Sequence, residues 1–293
     1  MKTAQAGIIE AVPQHARYLF FQTEHDLDRQ EAFAALQQLP IDAATVVGLG
    51  PSLVTALGGT IKGLKEHPVL SGSAGVFPST PMALWVWLGG QDRGELLHQS
   101  RRIEQALGES FVLESVIEAF LHRDSRDLSG YEDGTENPTG DQALEVALVT
   151  GRGVGLDGSS FVAVQQWVHD LDALEAMRPT ERDRVIGRRI SDNEEIADAP
   201  QSAHVKRTAQ EDFQPPAFLL RRSMPWSDAA QAGLVFVAFA RSFDAMEAQL
   251  RRMIGAEDGV SDALFRFTRP ISGAYFWCPP QRDGRLDLSA LKA

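Results

Sequence analysis

Two hundred and ninety-three residues, 43% hydrophobic and 23% charged, fit a soluble globular chain of one large or two ordinary domains and exclude wholesale disorder and collagen-like repeats. Forty acidic against 28 basic side chains give a net charge of −12, a poor footprint for phosphate-backbone binding, so no nucleic-acid partner is expected. No apolar run approaches the roughly 20 residues that cross a bilayer, and the lone Cys278 belongs to no disulfide or metal-ligand spacing, which together with a start unlike a signal peptide points to the cytoplasm and to no membrane.

Along the chain, residues 17–22 form a short apolar run, 26–38 read as a helix ending before Pro40, and 44–49 as a β-branched run stopped by Gly50-Pro51. A Gly/Ser/Pro-rich passage, 68–81, precedes a strand at 82–88 and a helix at 94–107. Pattern alone leaves 111–120 open between helix and strand. In the second half, 143–149 and 161–168 read as strands joined through 151–159, 170–177 and 180–187 as helical turns, 217–220 and 234–240 as strands, and 243–254 as a helix. ALWVWLGGQDRGELLHQSRRIEQALG and GLVFVAFARSFDAMEAQLRRMIG share one plan: apolar strand, short break, helix with Arg-Arg, terminal Gly. This predicts two related α+β halves, although strand–helix succession is common enough to produce such a likeness by itself. The boundary falls in 123–141, where charge, Gly and Pro replace apolar periodicity.

That boundary segment is also patterned. Gly130-Tyr131-Glu132-Asp133-Gly134 sets acids between glycines that permit close backbone approach, and Pro138 restrains Asn137, so Asp133 is a candidate for rigid placement over a bound group. An acidic surface turn is the plainer alternative. No phosphate loop occurs: GRGVGLDGS comes nearest, without the lysine or the following helix. The histidines at 15, 25, 67, 98, 122, 169 and 204 make no tight metal-binding spacing; His204, in SAHVKRT, is singled out only by its context.

With GYEDGTENP, IGRR at 186–189, HVKR at 204–207, FLLRRSMPW at 218–226 and DALFRFTRPISGAYFWCPP at 262–280, the chain resembles the dye-decolourising haem peroxidases, in their compact bacterial form. The resemblance runs through essentially the whole chain. It implies an α+β fold of tandem ferredoxin-like domains, antiparallel sheets packed against helices in a dimeric α+β barrel-like arrangement, with an N-terminal domain at 1–135 and a haem-binding one at 136–293. It further implies haem b (iron protoporphyrin IX), with His204 as proximal iron ligand and Asp262 as the acid bonded to it. Asp133 becomes the distal acid, Arg221 rather than Arg222 the distal arginine, Ser223 the distal hydroxyl, and Arg188 a haem-propionate partner. The activity implied is reduction of hydrogen peroxide with oxidation of dyes, phenols or other one-electron donors through a ferryl intermediate. A haem-binding or haem-handling protein with little turnover, including iron release from haem, is the alternative.

In that scheme the Asp262 carboxylate fixes the imidazole tautomer and strengthens its donation to iron. Asp133 shuttles the peroxide proton, Arg221 stabilises developing negative charge, and its fixed cation is expected to keep Asp133 ionised. Trp167, Trp226, Trp277, Tyr131 and Tyr275 are candidate relay or surface oxidation sites, with core packing the simpler role for each. Self-association into a homo-oligomer is expected from sheets of this kind.

Overall fold

The computed structural model describes residues 3–291. In its first half come β1 (His15–Thr23), α1 (Arg29–Gln38), β2 (Thr45–Leu49), α2 (Pro51–Ala56), the small hairpin β3 (Leu70–Gly72) and β4 (Gly75–Phe77), β5 (Leu84–Gly90), α3 (Arg93–Leu107) and β6 (Phe111–Phe120). The second half runs α4 (Gly140–Ala147), β7 (Ser160–His169), α5 (Leu171–Ala176), α6 (Pro179–Ile186), α7 (His204–Arg207), β8 (Leu220–Arg221), β9 (Met224–Ser227), β10 (Ala232–Ala240), α8 (Asp244–Met253), β11 (Thr268–Pro270) and β12 (Ala274–Cys278). A last hairpin, β13 (Gln281–Arg282) with β14 (Arg285–Leu286), follows.

Local chemistry sets many of these limits. Asp28 caps α1 by accepting from the Gln30 and Glu31 amides, and Asp92 caps α3 by accepting from Glu95 N. Pro51 opens α2, where its missing N–H costs nothing. Along the strands, alternate side chains enter two different cores. Tyr18, Phe20, Trp85, Trp87, Val162, Val164, Phe239 and Phe276 pack together on one face, whereas Leu19, Phe21, Val86, Phe161, Ala163, Tyr275 and Trp277 pack on the other with Leu36, Ile103, Met246 and Leu250 from α1, α3 and α8. The period of two along a strand divides the sequence between a barrel interior and a helix-covered exterior.

The antiparallel sheet runs β7-β12-β2-β5-β1-β6-β9-β10, and β10 pairs back with β7, closing it into a barrel. Within it β6-β1-β5-β2 and β12-β7-β10-β9 each follow the fourth-first-third-second order of a ferredoxin-like βαββαβ unit. The two stretches alike in sequence are β5–α3 and β10–α8, the third strand and second helix of each unit. The seams between units are narrow. Trp277 pairs with Leu49 at one, and Ala119 with Trp226 at the other.

Three sequence expectations change. Residues 143–149 are mostly helix α4, not a strand: Ala143 and Ala147, one turn apart, bury the same face, and both edges of β7 are already taken by β10 and by β11 and β12. Residues 151–159 therefore connect a helix to a strand rather than close a hairpin. The strand read at 217–220 shrinks to Leu220–Arg221, and 111–120 is a strand. Among the described residues, no helix is long and apolar enough to cross a membrane.

Candidate active site

The loop after β6 does not behave as a solvent-facing linker. Gly130 and Gly134 adopt φ of +90° and +82°, a region side chains rarely enter, and so fold the GYEDG segment back on itself. Its backbone is tied down where Asp133 N donates to Ser125 O at 3.0 Å. Asn137 then clamps the loop to β8 with two bonds: its Nδ2 donates to Arg221 O at 2.7 Å and its Oδ1 accepts from Arg221 N at 2.8 Å. Those bonds bring Asp133 and Arg221 together, with 3.7 Å between the carboxylate and the guanidinium. Arg222, the neighbouring alternative, points away and donates to Ile9 O.

His204 opens α7, four residues long, whose position is fixed from both sides. Arg207, buried, forks onto Asp258 with two bonds of 2.8 Å and donates to Arg252 O at 2.7 Å. Gly187 ends α6 at φ +97°, and a Cβ there would lie 2.3 Å from Val205 Cγ2, so the glycine lets α6 and α7 approach. The imidazole Nδ1 is 2.8 Å from Asp262 Oδ2, and Asp262 is fully enclosed, its other oxygen accepting from Leu264 N. A carboxylate at Nδ1 selects the tautomer with Nδ1–H and leaves Nε2 with a free lone pair.

Asp133, Arg221 and His204 line one hollow of about 890 Å³, counted to its mouth, beneath the outer face of β7 and β10. Leu234, Phe236, Met246, Leu250, Met253, Leu264 and Phe267 supply its apolar walls. The same three side chains line an adjoining hollow of about 1020 Å³ that reaches Arg188, and Asp133, Arg221 and Ser223 share a third of about 610 Å³. Arg188 holds Glu136 at 2.7 Å and Glu195 at 3.8 Å. Ser223 Oγ accepts from Val237 N at 3.4 Å.

The electrostatics correct one expectation. Loss of hydration raises the Asp133 pKa above the ordinary carboxylate value, and the opposing pull of Arg221 does not overcome it; Asp127 adds to the rise, while His204 and the Gly134 amide oppose it. The nearby cation therefore does not bring the pKa of this acid below its ordinary value. A second polar chain escaped notice in the sequence. His169 sets Nε2 2.9 Å from Asp127 Oδ1 and Nδ1 2.6 Å from Thr268 Oγ1, which itself donates to Val168 O. Burial pushes the Asp127 carboxyl up, but the bond and charge of His169, together with hydrogen bonds from Ser129, outweigh it and hold the pKa below the usual range. These partners lie 42 and 99 residues apart, so the sequence offered His169 only as one of seven histidines and gave no sign of its partners. Surface oxidation does not fit Trp167, Trp226, Trp277, Tyr131 or Tyr275, all of which are buried.

The sequence model of the family described as Dyp-type peroxidase, C-terminal, matches residues 124–283. A dye-decolorizing peroxidase of Mycobacterium tuberculosis is 28% identical over 244 residues, covering 80% of this chain and 73% of the relative. Among solved structures, a DypB variant of Rhodococcus jostii in complex with haem superposes with a TM-score of 0.86 at 26% identity, over 94% of this chain and 96% of that one. A dye-decolorizing protein from V. cholerae superposes with a TM-score of 0.81, also at 26% identity, over the same shares of the two chains.

Proposed function

The chain belongs to the Dyp-type peroxidase family, and from that premise we infer that its hollow holds haem b and reduces hydrogen peroxide at the expense of dyes, phenols or other one-electron donors. The residues present fit such a group. One imidazole faces the hollow with a free Nε2, and the described residues hold no cluster of three or more His, Cys, Asp or Glu side chains suited to a bare metal ion. An iron that brings its other equatorial ligands with it, in a flat apolar macrocycle, suits that donor set and the apolar walls. The buried Arg221 Nε has no hydrogen-bond partner, a donor left for an anionic ligand.

When bound, haem b supplies the redox centre that accepts the oxidising equivalents of peroxide and passes them singly to donors. In this proposal His204 Nε2 holds the iron, and Asp262 Oδ2, accepting from Nδ1–H, orients the ring and raises its basicity. Asp133 takes the proton of an incoming peroxide and returns it to the departing oxygen. Arg221 Nη1 and the unpartnered Nε steady the negative charge that appears between those transfers. Ser223 Oγ, at the same hollow as both, orients peroxide or water. Arg188, already holding two carboxylates, is set to receive a propionate. The units proposed at 1–135 and 136–293 then divide the labour: every lining residue of the main hollow lies beyond residue 126, with the GYEDG loop contributed from the first.

The same reading takes the protein as cytoplasmic, supported by its single buried thiol Cys278, and as a homo-oligomer, which light scattering on the holoprotein tests. The observation that carries the function is the Asp133–Arg221 pair lining one hollow with His204, since a haem carrier has no use for such an acid and cation. Addition of haemin should give a Soret band and peroxide-dependent oxidation of a dye, and His204→Ala should lose that band or bind haemin at least about tenfold more weakly. Tight haemin binding with no donor oxidation would favour the haem-handling alternative instead.

A further inference from the structure

Two histidines of the chain, His67 and His169, are buried, and their partners differ in kind. His67 Nε2 lies 3.0 Å from Gln165 Nε2, whose amide oxygen is already taken by Trp167 Nε1, so this ring must keep a bare Nε2 and stays neutral. Burial works in the same direction and lowers its pKa to about 4. His169 has a choice. Its Nε2 lies 2.9 Å from a carboxylate, Asp127 Oδ1, and its Nδ1 2.6 Å from Thr268 Oγ1, an atom that both donates and accepts. With two protons on the ring, Nδ1–H donates to the hydroxyl and the hydroxyl donates to Val168 O, 3.0 Å away. With one proton, Nε2–H stays on Asp127 and the hydroxyl turns to donate to Nδ1. Neither state leaves a ring nitrogen without a partner, so the charge of this buried ring can change at little cost in hydrogen bonding.

The same ring stands between two spaces. His169 and Thr268 line the main hollow on one side and, on the other, an outer cleft of about 1310 Å³, counted to its mouth. The charged groups of the cleft are Asp170, Asp172 and Asp228 against Arg266 and Arg269, all exposed, so solvent there can take the Nδ1 proton through the Thr268 hydroxyl. Toward the hollow the charged groups are Asp127, Glu132 and Asp133 with Arg221 and His204. Asp127 is fixed in place: its Oδ2 accepts from Ser129 N, its carbonyl accepts from Gly130 N and its N–H donates to Tyr131 O, each at 2.9 Å. Nε2–H and Ser129 N donate to it in both states of the ring, so Asp127 remains a carboxylate throughout. It lines the main hollow and the third hollow together with Asp133, and its charge adds to lost hydration in raising the Asp133 pKa.

We propose that the Asp127–His169 pair is a charge switch in the wall of the hollow: it is neutral while the ring holds a proton at Nδ1, carries one negative charge once that proton has left for the cleft, and passes the difference to Asp133. The switch rests on the haem-peroxidase reading, in which Asp133 must be a carboxylate to take the peroxide proton. His169 is then a positioning residue, acting through Asp127 on the charge of Asp133. In acid, where Asp133 is closest to protonation, the charged ring cancels Asp127 and extends the proton transfer to lower pH. As pH rises the ring discharges, the hollow gains one negative charge, and Asp133 becomes the stronger base.

Two measurements on the full chain test the switch. In the apoprotein with isotope-labelled histidine, nuclear magnetic resonance should show the His169 ring, identified by its absence in His169→Gln, losing its proton at Nδ1 as pH rises while Nε2 keeps its own. In the holoprotein, stopped-flow absorbance after peroxide mixing gives the pH at which the rate falls on the acid side. His169→Gln keeps a donor for Asp127 and an acceptor for Thr268 but no charge, so it should move that limb up by about half a pH unit or more, whereas Asp127→Asn should move it down. The double variant has no charge at either position and should return the limb to within about 0.3 pH units of the parent. Both residues line the hollow, so the rate itself is expected to change; shifts of opposite sign that cancel in the double variant belong to charge and not to packing. Shifts of the same sign, a limb unmoved in either single variant, or a ring that does not discharge at Nδ1 overturns the switch and leaves the peroxidase reading intact. A haem-loaded parent that consumes no peroxide removes that reading and the switch with it.

Discussion

At Asp133 the balance between burial and a neighbouring cation has a direct kinetic consequence. Only the carboxylate takes a proton from peroxide, and its pKa is raised by lost hydration despite Arg221, so the rate of the peroxide reaction should fall as pH drops through that raised value. Arg221 acts against the rise. Its replacement by Leu should therefore slow the reaction and also move the low-pH limb to higher pH, and Asp133→Asn should abolish the limb, both read by stopped-flow absorbance after peroxide mixing. A limb at the same pH in Arg221→Leu would show that another group governs it. The optimum for dye turnover is a separate quantity, since oxidation of the donor has a proton requirement of its own.

Among the elements, α7 is too short to hold itself and depends on its neighbours to aim His204. Arg207 supplies the anchor: its guanidinium is bonded to Asp258 and to Arg252 O, and its side chain is 3% exposed while that of Asp258 is 45% exposed. Arg207→Ala should cost about 2 kcal/mol, less than a fully enclosed ion pair would, because water reaches Asp258 but cannot replace the buried donor at the Arg252 carbonyl. Haemin affinity should fall with it, since His204 lies one turn away. The partner carboxyl is held down to about 2, chiefly by the Arg207 hydrogen bond. That contribution is present above the ordinary carboxylate pKa and is lost as pH falls through about 2, so the gap in thermal stability between the parent and Arg207→Ala should narrow at the acid end to the part owed to the Arg252 carbonyl. Equal midpoints for the two at neutral pH would remove Arg207 from this role.

Across the whole molecule, closure of the barrel makes the two ferredoxin-like units share one interior. Tyr18, Trp85 and Trp87 from the first pack with Phe239 and Phe276 from the second, and Gln5 joins the halves by bonding Val47 N, Val47 O and Pro279 O. Neither unit buries its inner sheet face alone. Urea unfolding of the full chain should accordingly be a single transition, with tryptophan fluorescence and far-ultraviolet circular dichroism coincident. Two separated transitions would mean that the units at 1–135 and 136–293 are independently stable.

The amino-acid sequence by itself determined the strands and helices with strong periodicity, the internal repeat of β5–α3 in β10–α8, and the residue types of the site. Each of these is local: alternation every two residues, a capping Asp, or glycines whose positive φ shapes the GYEDG loop. The ambiguous cases were those where local pattern is indifferent to state. An Ala/Val/Leu run such as 143–149 serves a helix or a strand, and only the occupied edges of β7 decide it. Pairing was likewise a matter of tertiary structure. Asp262 meets His204 from 58 residues away and Asn137 clamps Arg221 from 84, distances over which sequence carries no register. The pKa of Asp133 depends on how much water the folded hollow leaves around it, and the Tyr131 hydroxyl finds its acceptor in Asp183, 52 residues on. Hydration and long-range hydrogen bonds are properties of the assembled surfaces, and the folded barrel alone sets them.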